Sequence, residues 1–174
     1  MKYLVRLFVT IFAFFYISLS SAEISIVFVN MEKVMNQSKA GKSITLKLEE
    51  IHKGNIKLFK ETEESLKKEE NDIIQKKNIL SNEEYNKKIE LLRQKVAKYR
   101  KNRQDRINSI NQKKMEASSK LLKALNPILS QYSKDNQISL ILQKKNIVLG
   151  KTDLDITNKI IEIADAKIKS ISLD

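Results

Sequence analysis

The chain has 174 residues, 33 lysines and arginines against 21 aspartates and glutamates, and a formal net charge of +12. The length suits one domain. With aromatic residues at 6% and no cysteine, the composition excludes a large compact core and a disulfide scaffold.

The N-terminal segment, residues 1–22, has the three-part pattern of a secretory signal peptide. Lys2 and Arg6 make its basic start, an apolar run follows, and a site of small residues ends at Ala22. We expect cleavage between Ala22 and Glu23, which also lowers the formal charge from +12 to +10. An uncleaved signal anchor is the alternative, although the apolar run is shorter than the roughly 20 residues that span a bilayer.

The mature chain is expected to begin with a strand. Residues 24–29 alternate and are rich in β-branched side chains, which is typical of a strand. Residues 31–37 then form a short helical turn that carries Val34 and Met35 inward. The segment 38–41, Ser-Lys-Ala-Gly, breaks and redirects the chain.

The middle of the chain predicts a long helical hairpin, because a long stretch before Pro127 consists mainly of good helix formers. We expect two antiparallel helices, over residues 43–80 and 82–135. They are joined where Ser81 stands three residues before Glu84, the spacing of a capping box. Pro127 removes one backbone donor from the second helix and should kink that helix rather than end it.

The apolar side chains of the two arms form a thin seam. They recur every seven residues in the first arm and step by four and three in the second, which is the coiled-coil pattern. The seam comprises Phe59, Leu66, Ile73 and Leu80, and on the return arm Tyr85, Ile89, Leu92, Val96 and Tyr99. Folding back also places acidic residues of the first arm near basic residues of the second. Exposed pairs contribute only about 0–1 kcal/mol each, so they set the register more than the stability.

Two further strands and a helix are predicted after the hairpin. Residues 138–142 and 147–149 have strand composition, and residues 144–146 between them are short enough for a β-hairpin. Asp155 suits the N-cap of a final helix. The apolar face of this helix would comprise Ile156, Ile160, Ile163 or Ala164, and Ile168.

These elements predict an α+β fold that is mostly α, in which a long antiparallel helical hairpin projects from a small sheet-plus-helix body. Residues 23–42 and 136–174 would form the body, with strands from both ends of the chain pairing, and residues 43–135 would form the arm. A three-stranded sheet has open edges, and we expect the apolar strands to meet other subunits there.

The sequence carries no pattern typical of an enzyme, a metal site or a phosphate-binding loop. His52 is the only histidine, and its position in the middle of a helix favours a surface residue over a ligand. Asp153 and Asp155 suit turn and N-cap roles better than a cation site. We therefore expect no enzymatic activity, no metal and no cofactor.

The positive charge has three interpretations. Nucleic acid is the usual partner of such charge, but an exported protein rarely meets it, so we expect no such partner. Attraction to anionic lipid or to acidic polypeptides is the second, and a solubilising, lysine-rich composition is the third. Arg103, Arg106, Lys113 and Lys114 lie on or beside the seam of the second arm, where they either face water or hold a partner.

The chain resembles the Skp (OmpH-like) family of periplasmic chaperones in the order of its elements. The resemblance rests on the segment 26–31 (IVFVNM), the long charged hairpin, and the tail segments 138–148 (ISLILQKKNIV) and 155–157 (DIT). It covers essentially the whole mature chain. None of these motifs is catalytic, and their order behind a signal peptide makes the match specific.

The resemblance implies a homotrimer in which three hairpins surround a cavity that holds unfolded outer-membrane proteins, here called clients, without ATP. The subunit interface would include Ile24, Ile26, Phe28, Ile138, Leu140, Leu142, Ile147 and Val148. The client-binding surface would include Phe59, Leu66, Tyr99, Arg103, Arg106, Lys113 and Lys114. The alternative is a structural coiled-coil protein of the envelope without chaperone activity. Contact with anionic lipid or lipopolysaccharide could accompany either.

Overall fold

The computed structural model describes residues 24–173, so the predicted signal peptide and its cleavage point lie outside the described residues. The elements in chain order are β1 (Ile26–Val29), α1 (Met31–Gln37), α2 (Lys39–Gln75), α3 (Asn82–Asp135), β2 (Leu140–Gln143) and α4 (Thr157–Lys167). Short 3-10 turns lie at Lys144–Asn146 and Thr152–Leu154. The predicted fold class is confirmed: two long helices, α2 and α3, make a hairpin beside a small body that holds the sheet and the short helices. The division into domains stays a prediction.

The sheet joins the two ends of the chain, as expected. β1 and β2 pair in parallel, with Ile26 opposite Leu140 and Phe28 opposite Leu142. Because side chains alternate along a strand, Val27 and Val29 face the helices and are buried there. Ile26 and Phe28 of β1, with their partners Leu140 and Leu142 of β2, lie on the opposite face of the sheet, away from the helices.

The core of the body lies where the roots of the two arms meet α1 and α4. Leu121 and Leu125 of α3 are fully buried there, together with Val34 of α1 and Ile160 of α4. Burying such a side chain contributes about 1.5–3 kcal/mol. The root of the hairpin is therefore anchored to the body, and the far end is not.

Ser38 divides α1 from α2. Its backbone N–H donates to the carbonyl of Val34 at 3.1 Å, and its Oγ accepts the N–H of Gly41 at 3.2 Å. A Cβ on Gly41 would lie 1.7 Å from the carbonyl oxygen of Met35, so only glycine allows this close approach. The predicted break thus occurs at Ser38 alone. Gly41 is already helical, and α2 begins at Lys39 rather than at residue 43.

The tip of the hairpin contains the predicted capping box. α2 ends at Gln75, five residues earlier than expected, and a turn leads to Ser81. The backbone N–H of Ser81 donates to Glu84 Oε2 at 3.1 Å, and the N–H of Glu84 donates to Ser81 Oγ at 3.3 Å. α3 then continues through Pro127 to Asp135, so the proline does not end the helix. The kink there stays a prediction.

The predicted third strand over residues 147–149 and its hairpin at 144–146 are wrong. Residues 144–146 form a 3-10 turn, and no strand among residues 24–173 pairs with 147–149. The backbone turns here instead, because the N–H of Ile147 donates to the carbonyl of Lys144 at 3.1 Å, and an ion pair of 2.7 Å between Lys144 Nζ and Asp155 Oδ2 lies beside the turn. Asp155 forms a single parallel bridge with Phe28 on the free side of β1.

The final helix, α4, begins at Thr157, and Ile156 rather than Asp155 occupies its N-cap position. The predicted cap is therefore wrong by one residue. Asp155 still serves the helix start, because its Oδ1 accepts the backbone N–H of Thr157 at 3.0 Å and also the Thr157 hydroxyl. The predicted apolar face is confirmed by burial of Ile156, Ile160, Ala164 and Ile168.

Candidate functional site

A groove lies between α2 and α3 at about the middle of α2. Its volume is about 340 Å³, and it contains five of the seven residues predicted to bind clients. These five are Phe59, Leu66, Tyr99, Arg103 and Arg106. The seam spacing therefore brings together, from two helices, side chains that are about 40 residues apart in sequence.

Two aromatic rings line the groove. The centroids of Phe59 and Tyr99 are 6.3 Å apart, and their planes make an angle of 77°. This edge-to-face arrangement is favourable for aromatic pairs. Both residues are only half-buried, so the pair holds the arms together and still offers apolar surface.

Arg103 lies over the ring of Phe59, with the guanidinium carbon 5.5 Å from the ring centroid. Its Nη1 is also 3.3 Å from Glu63 Oε1. The side chains of Arg103 and Glu63 are 52% and 51% exposed, so water screens the pair and it contributes at most about 1 kcal/mol. Arg103 thus presents positive charge beside an apolar surface.

The Tyr99 hydroxyl donates a hydrogen bond to the carboxylate of Glu63. Burial of the phenol and this hydrogen bond raise the pKa of Tyr99, and Arg103 opposes the rise. The phenol therefore stays neutral at neutral pH. Glu63 orients both Tyr99 and Arg103, a role that the sequence did not single out.

A second polar contact crosses the arms closer to the body. Arg106 donates from Nη1 to Oδ1 of Asn55 at 3.1 Å, and Asn55 is buried. Our sequence reasoning missed Asn55, although it stands four residues before Phe59 on the same seam. A polar residue at a seam position commonly fixes the register of paired helices.

The other two predicted client-binding residues lie outside the groove. Lys113 is half-buried near the body and donates from Nζ to the carbonyl oxygen of Leu173 at 2.5 Å. Lys114, the next residue, is exposed. The structure therefore separates the predicted set into a groove of five residues and two lysines closer to the root.

Four of the eight predicted subunit-interface residues lie in the strands, on the face of the sheet that points away from the helices: Ile26, Phe28, Leu140 and Leu142. Ile24, Ile26, Leu140 and Leu142 are exposed, and Val148 projects fully into solvent. Ile138 and Ile147 are half-buried. Phe28 is the exception, because it is buried within its own chain. Lys144 Nζ lies 5.5 Å from its ring centroid, and the backbone at Gly150 passes so close that a Cβ there would lie 2.9 Å from Phe28 Cε1.

Within residues 24–173, no three His, Asp or Glu side chains come together as a metal ion would require. None of the helices in that range combines the length and apolar character needed to cross a bilayer.

Comparisons with known proteins found one matching family and one similar fold. Residues 25–163 match the profile of the family described as "Outer membrane protein (OmpH-like)". A search of curated protein sequences gave no match. The fold is similar to the crystal structure of a candidate outer membrane chaperone (OmpH-like) from Caulobacter crescentus CB15, with a TM-score of 0.83 at 19% identity. The similarity covers 87% of this chain and 89% of the other.

Proposed function

The chain belongs to the OmpH-like family of outer membrane proteins, and on that premise we propose that it is a periplasmic chaperone. In detail, it acts as a holdase: it binds unfolded outer-membrane proteins and prevents their aggregation without ATP. The family and the name of the similar structure, an OmpH-like candidate chaperone, support the chaperone role.

The observation that carries the proposal is the open groove of Phe59, Tyr99 and Arg103. It offers aromatic surface and positive charge on the same side of a long arm, and it has no enclosed cavity shaped for one ligand. A holdase needs such a surface, because it must bind many sequences weakly. Several arms acting on one client then add their weak contacts through effective concentration.

The outward face of the sheet supports self-association into a trimer. Exposed Ile26, Leu140 and Leu142 form a continuous apolar row, and fully exposed Val148 lies in the same part of the body. Apolar patches of this kind mark interfaces more often than free surface. In the proposed trimer these residues pack in a central body, and the arms surround the cavity that holds the client.

The pattern of residues 1–22 supports export to the periplasm through a cleaved signal peptide. N-terminal sequencing of the exported protein should begin at Glu23; the intact Met1 end would instead favour a signal anchor. Anionic lipid or lipopolysaccharide is a further proposed partner of the basic arms. Liposome sedimentation at low salt tests this contact, and the absence of sedimentation would rule it out.

A structural coiled-coil protein of the envelope remains the second candidate, since the ring pair of Phe59 and Tyr99 would also hold a purely structural hairpin together. Light scattering separates the two. A urea-denatured outer-membrane barrel protein is diluted with and without residues 23–174, in the absence of nucleotide. A holdase suppresses the scattering near one trimer per client. A folded chain that leaves the scattering unchanged would be structural.

A further inference from the structure

The last residues of the described chain do not run into solvent. After α4, residues 168–173 have no regular secondary structure and lie against α3. We call this segment the tail. Ile168 is buried, and Ile171 and Leu173 pack against the core while staying half-buried. Apolar side chains two or three residues apart thus hold this segment against the core.

Two lysines of α3 bind the tail through its main chain. Lys113 Nζ donates to the carbonyl oxygen of Leu173 at 2.5 Å, and Lys120 Nζ donates to the carbonyl oxygen of Ser172 at 3.4 Å. Every polypeptide has such carbonyls. This part of the contact therefore does not depend on the sequence of the segment that is bound.

The two lysines continue a basic row that begins in the groove. Arg106, Lys113 and Lys120 are spaced by seven residues, so they share one face of α3, and the row is about 21 Å long. Within residues 24–173 none of the three forms an ion pair. Arg106 instead donates to the amide oxygen of Asn55, and the lysines donate to the tail. All three cations bind neutral oxygens.

The tail is incompletely packed. A cleft of about 690 Å³ remains between it and α3, lined on the helix side by Ala124, Pro127, Ile128 and Gln131. This cleft is open to solvent, and Ile171 and Leu173 are themselves only half-buried. The tail is therefore accessible from one side, and its displacement costs less than that of a fully buried segment.

From these contacts we infer that the tail is a displaceable occupant of a polypeptide-binding surface that extends from the groove to the root of α3. Its natural competitor is an extended apolar segment of an unfolded client, which offers the same carbonyls and alternating apolar side chains. This inference rests on the proposed chaperone function. A long client can also reach the groove at Arg103, so it makes more contacts than the tail and replaces it.

Such a tail tunes the affinity of the arm. A surface that the tail covers nine-tenths of the time binds a competitor with an apparent affinity about tenfold lower than the free surface. Without a client, the covered surface does not expose its apolar side chains to other copies of the chain.

Truncation tests the inference. The chain that ends at Ile168 is compared with the full mature chain for binding of a fluorescent, urea-unfolded outer-membrane barrel protein. We expect the truncated chain to bind about tenfold more tightly. If the tail only supports the fold, truncation should leave the affinity unchanged or weaken it. Circular dichroism of both chains checks that the helices are retained.

A covalent tether is the opposite test: it holds the tail in place instead of removing it, and it should weaken client binding. The chain has no cysteine, so Lys120→Cys with Ser172→Cys provides the only pair of thiols for a flexible bis-maleimide linker. The linked protein should bind the client at least several-fold more weakly than the same variant without the linker. Equal binding by the linked and unlinked forms would overturn the inference.

The outcomes also separate this inference from the proposed function. If all forms bind the barrel protein with the same affinity, the chaperone proposal stands and the displaceable tail is rejected. If no folded form binds it, both are rejected.

Discussion

Arg103 contacts Phe59 and Glu63 at the same time: its guanidinium carbon is 5.5 Å from the Phe59 ring centroid, and its Nη1 is 3.3 Å from Glu63 Oε1. One side chain of the return arm therefore joins an aromatic ring and a carboxylate of the outgoing arm. All of these contacts are exposed enough for a client to replace them.

Reversing the charge of Arg103 should weaken client binding. Arg103→Glu removes the cation over Phe59, an interaction worth about 0.5–1 kcal/mol at an exposed site, and places a second carboxylate beside Glu63. We expect the Kd for an unfolded barrel protein to rise about three- to tenfold, measured by fluorescence titration at low salt. Arg100→Glu is the matched control, because Arg100 lies on the same helix and does not line the groove. Equal weakening by both variants would show that only net charge matters.

The ring pair should stabilise the arms. Phe59→Ala removes a half-buried ring from its contact with Tyr99, and we expect a loss of about 1–2 kcal/mol, below the 3–5 kcal/mol typical of a fully buried phenylalanine. Hydrogen exchange of amides in residues 55–66 and 96–103 measures the effect. Phe59→Leu should recover part of the protection. Unchanged exchange in Phe59→Ala would contradict the packing role.

The stability of the body should depend on the charge of Asp155. Burial raises the pKa of this carboxyl, but hydrogen bonds from Lys144 and Thr157 and the charge of Lys144 outweigh burial, and the net pKa is lowered. Because the pKa of Asp155 is lowered in the folded state, its ionised carboxylate stabilises the fold at pH values above the unfolded pKa of about 3.9. This stabilisation is lost as the pH falls through the pKa of the folded state. We expect the chain to lose stability below about pH 4.

Asp155→Asn is the variant that isolates this effect. It should be less stable than the parent at pH 7 by about 1–2 kcal/mol, since it loses charge-assisted hydrogen bonds, and the difference should shrink toward pH 3. Urea unfolding at several pH values measures both. A constant difference across this range would show that the charge of Asp155 is not the cause.

The capping box should control fraying at the tip. Ser81→Ala removes the acceptor for the N–H of Glu84 and should cost the start of α3 about 1 kcal/mol. The expected result is faster hydrogen exchange in residues 82–86 with no change around Leu121. The hydrogen bonds from Ser81 lower the pKa of Glu84, so acidification below about pH 4 should loosen the same turn. Faster exchange throughout the chain would instead indicate a global effect.

The outward face of the sheet should carry the oligomer. Leu140→Asp places a charge in the exposed apolar row, and we expect it to shift the proposed trimer to monomer in sedimentation velocity. Ile79→Asp is the matched control, because Ile79 is an exposed apolar residue at the tip of the arm. A trimer that survives Leu140→Asp would exclude this face as the interface.

Local patterns predicted most of the fold. The spacing of Ser81 and Glu84 identified the tip of the hairpin because both partners lie within one helical turn. The heptad spacing of Phe59, Leu66 and Ile73 on α2 predicted the seam, since position on a helix face follows from sequence alone.

The errors occurred where distant residues decide the structure. Val148 and Leu149 have strand composition, but the chain turns at Lys144–Asn146, and Asp155, not residues 147–149, bridges to the free side of β1. Gly41 was expected to break a helix, whereas its role is to admit the carbonyl of Met35.

The candidate site was predicted only in part, because sequence spacing reports position on a helix face and not distant contacts. Phe59, Tyr99 and Arg103 share the seam, so spacing brought them together. Lys113 lies on the same face, but the tail covers it, a contact between residues 60 positions apart. Periodicity reports which face a residue occupies and not which distant segment packs there.

The measurement that tests the central claim most directly is site-specific photo-crosslinking of an unfolded barrel protein to the groove. A photoreactive side chain replaces Lys98, which lines the groove, or Arg100, which does not. Residues two apart on a helix do not face each other, so the pair compares two sides of one arm. We predict strong crosslinks from position 98 and weak ones from position 100. Equal crosslinking from both positions, or from neither, would contradict the assignment of the groove as the client-binding surface.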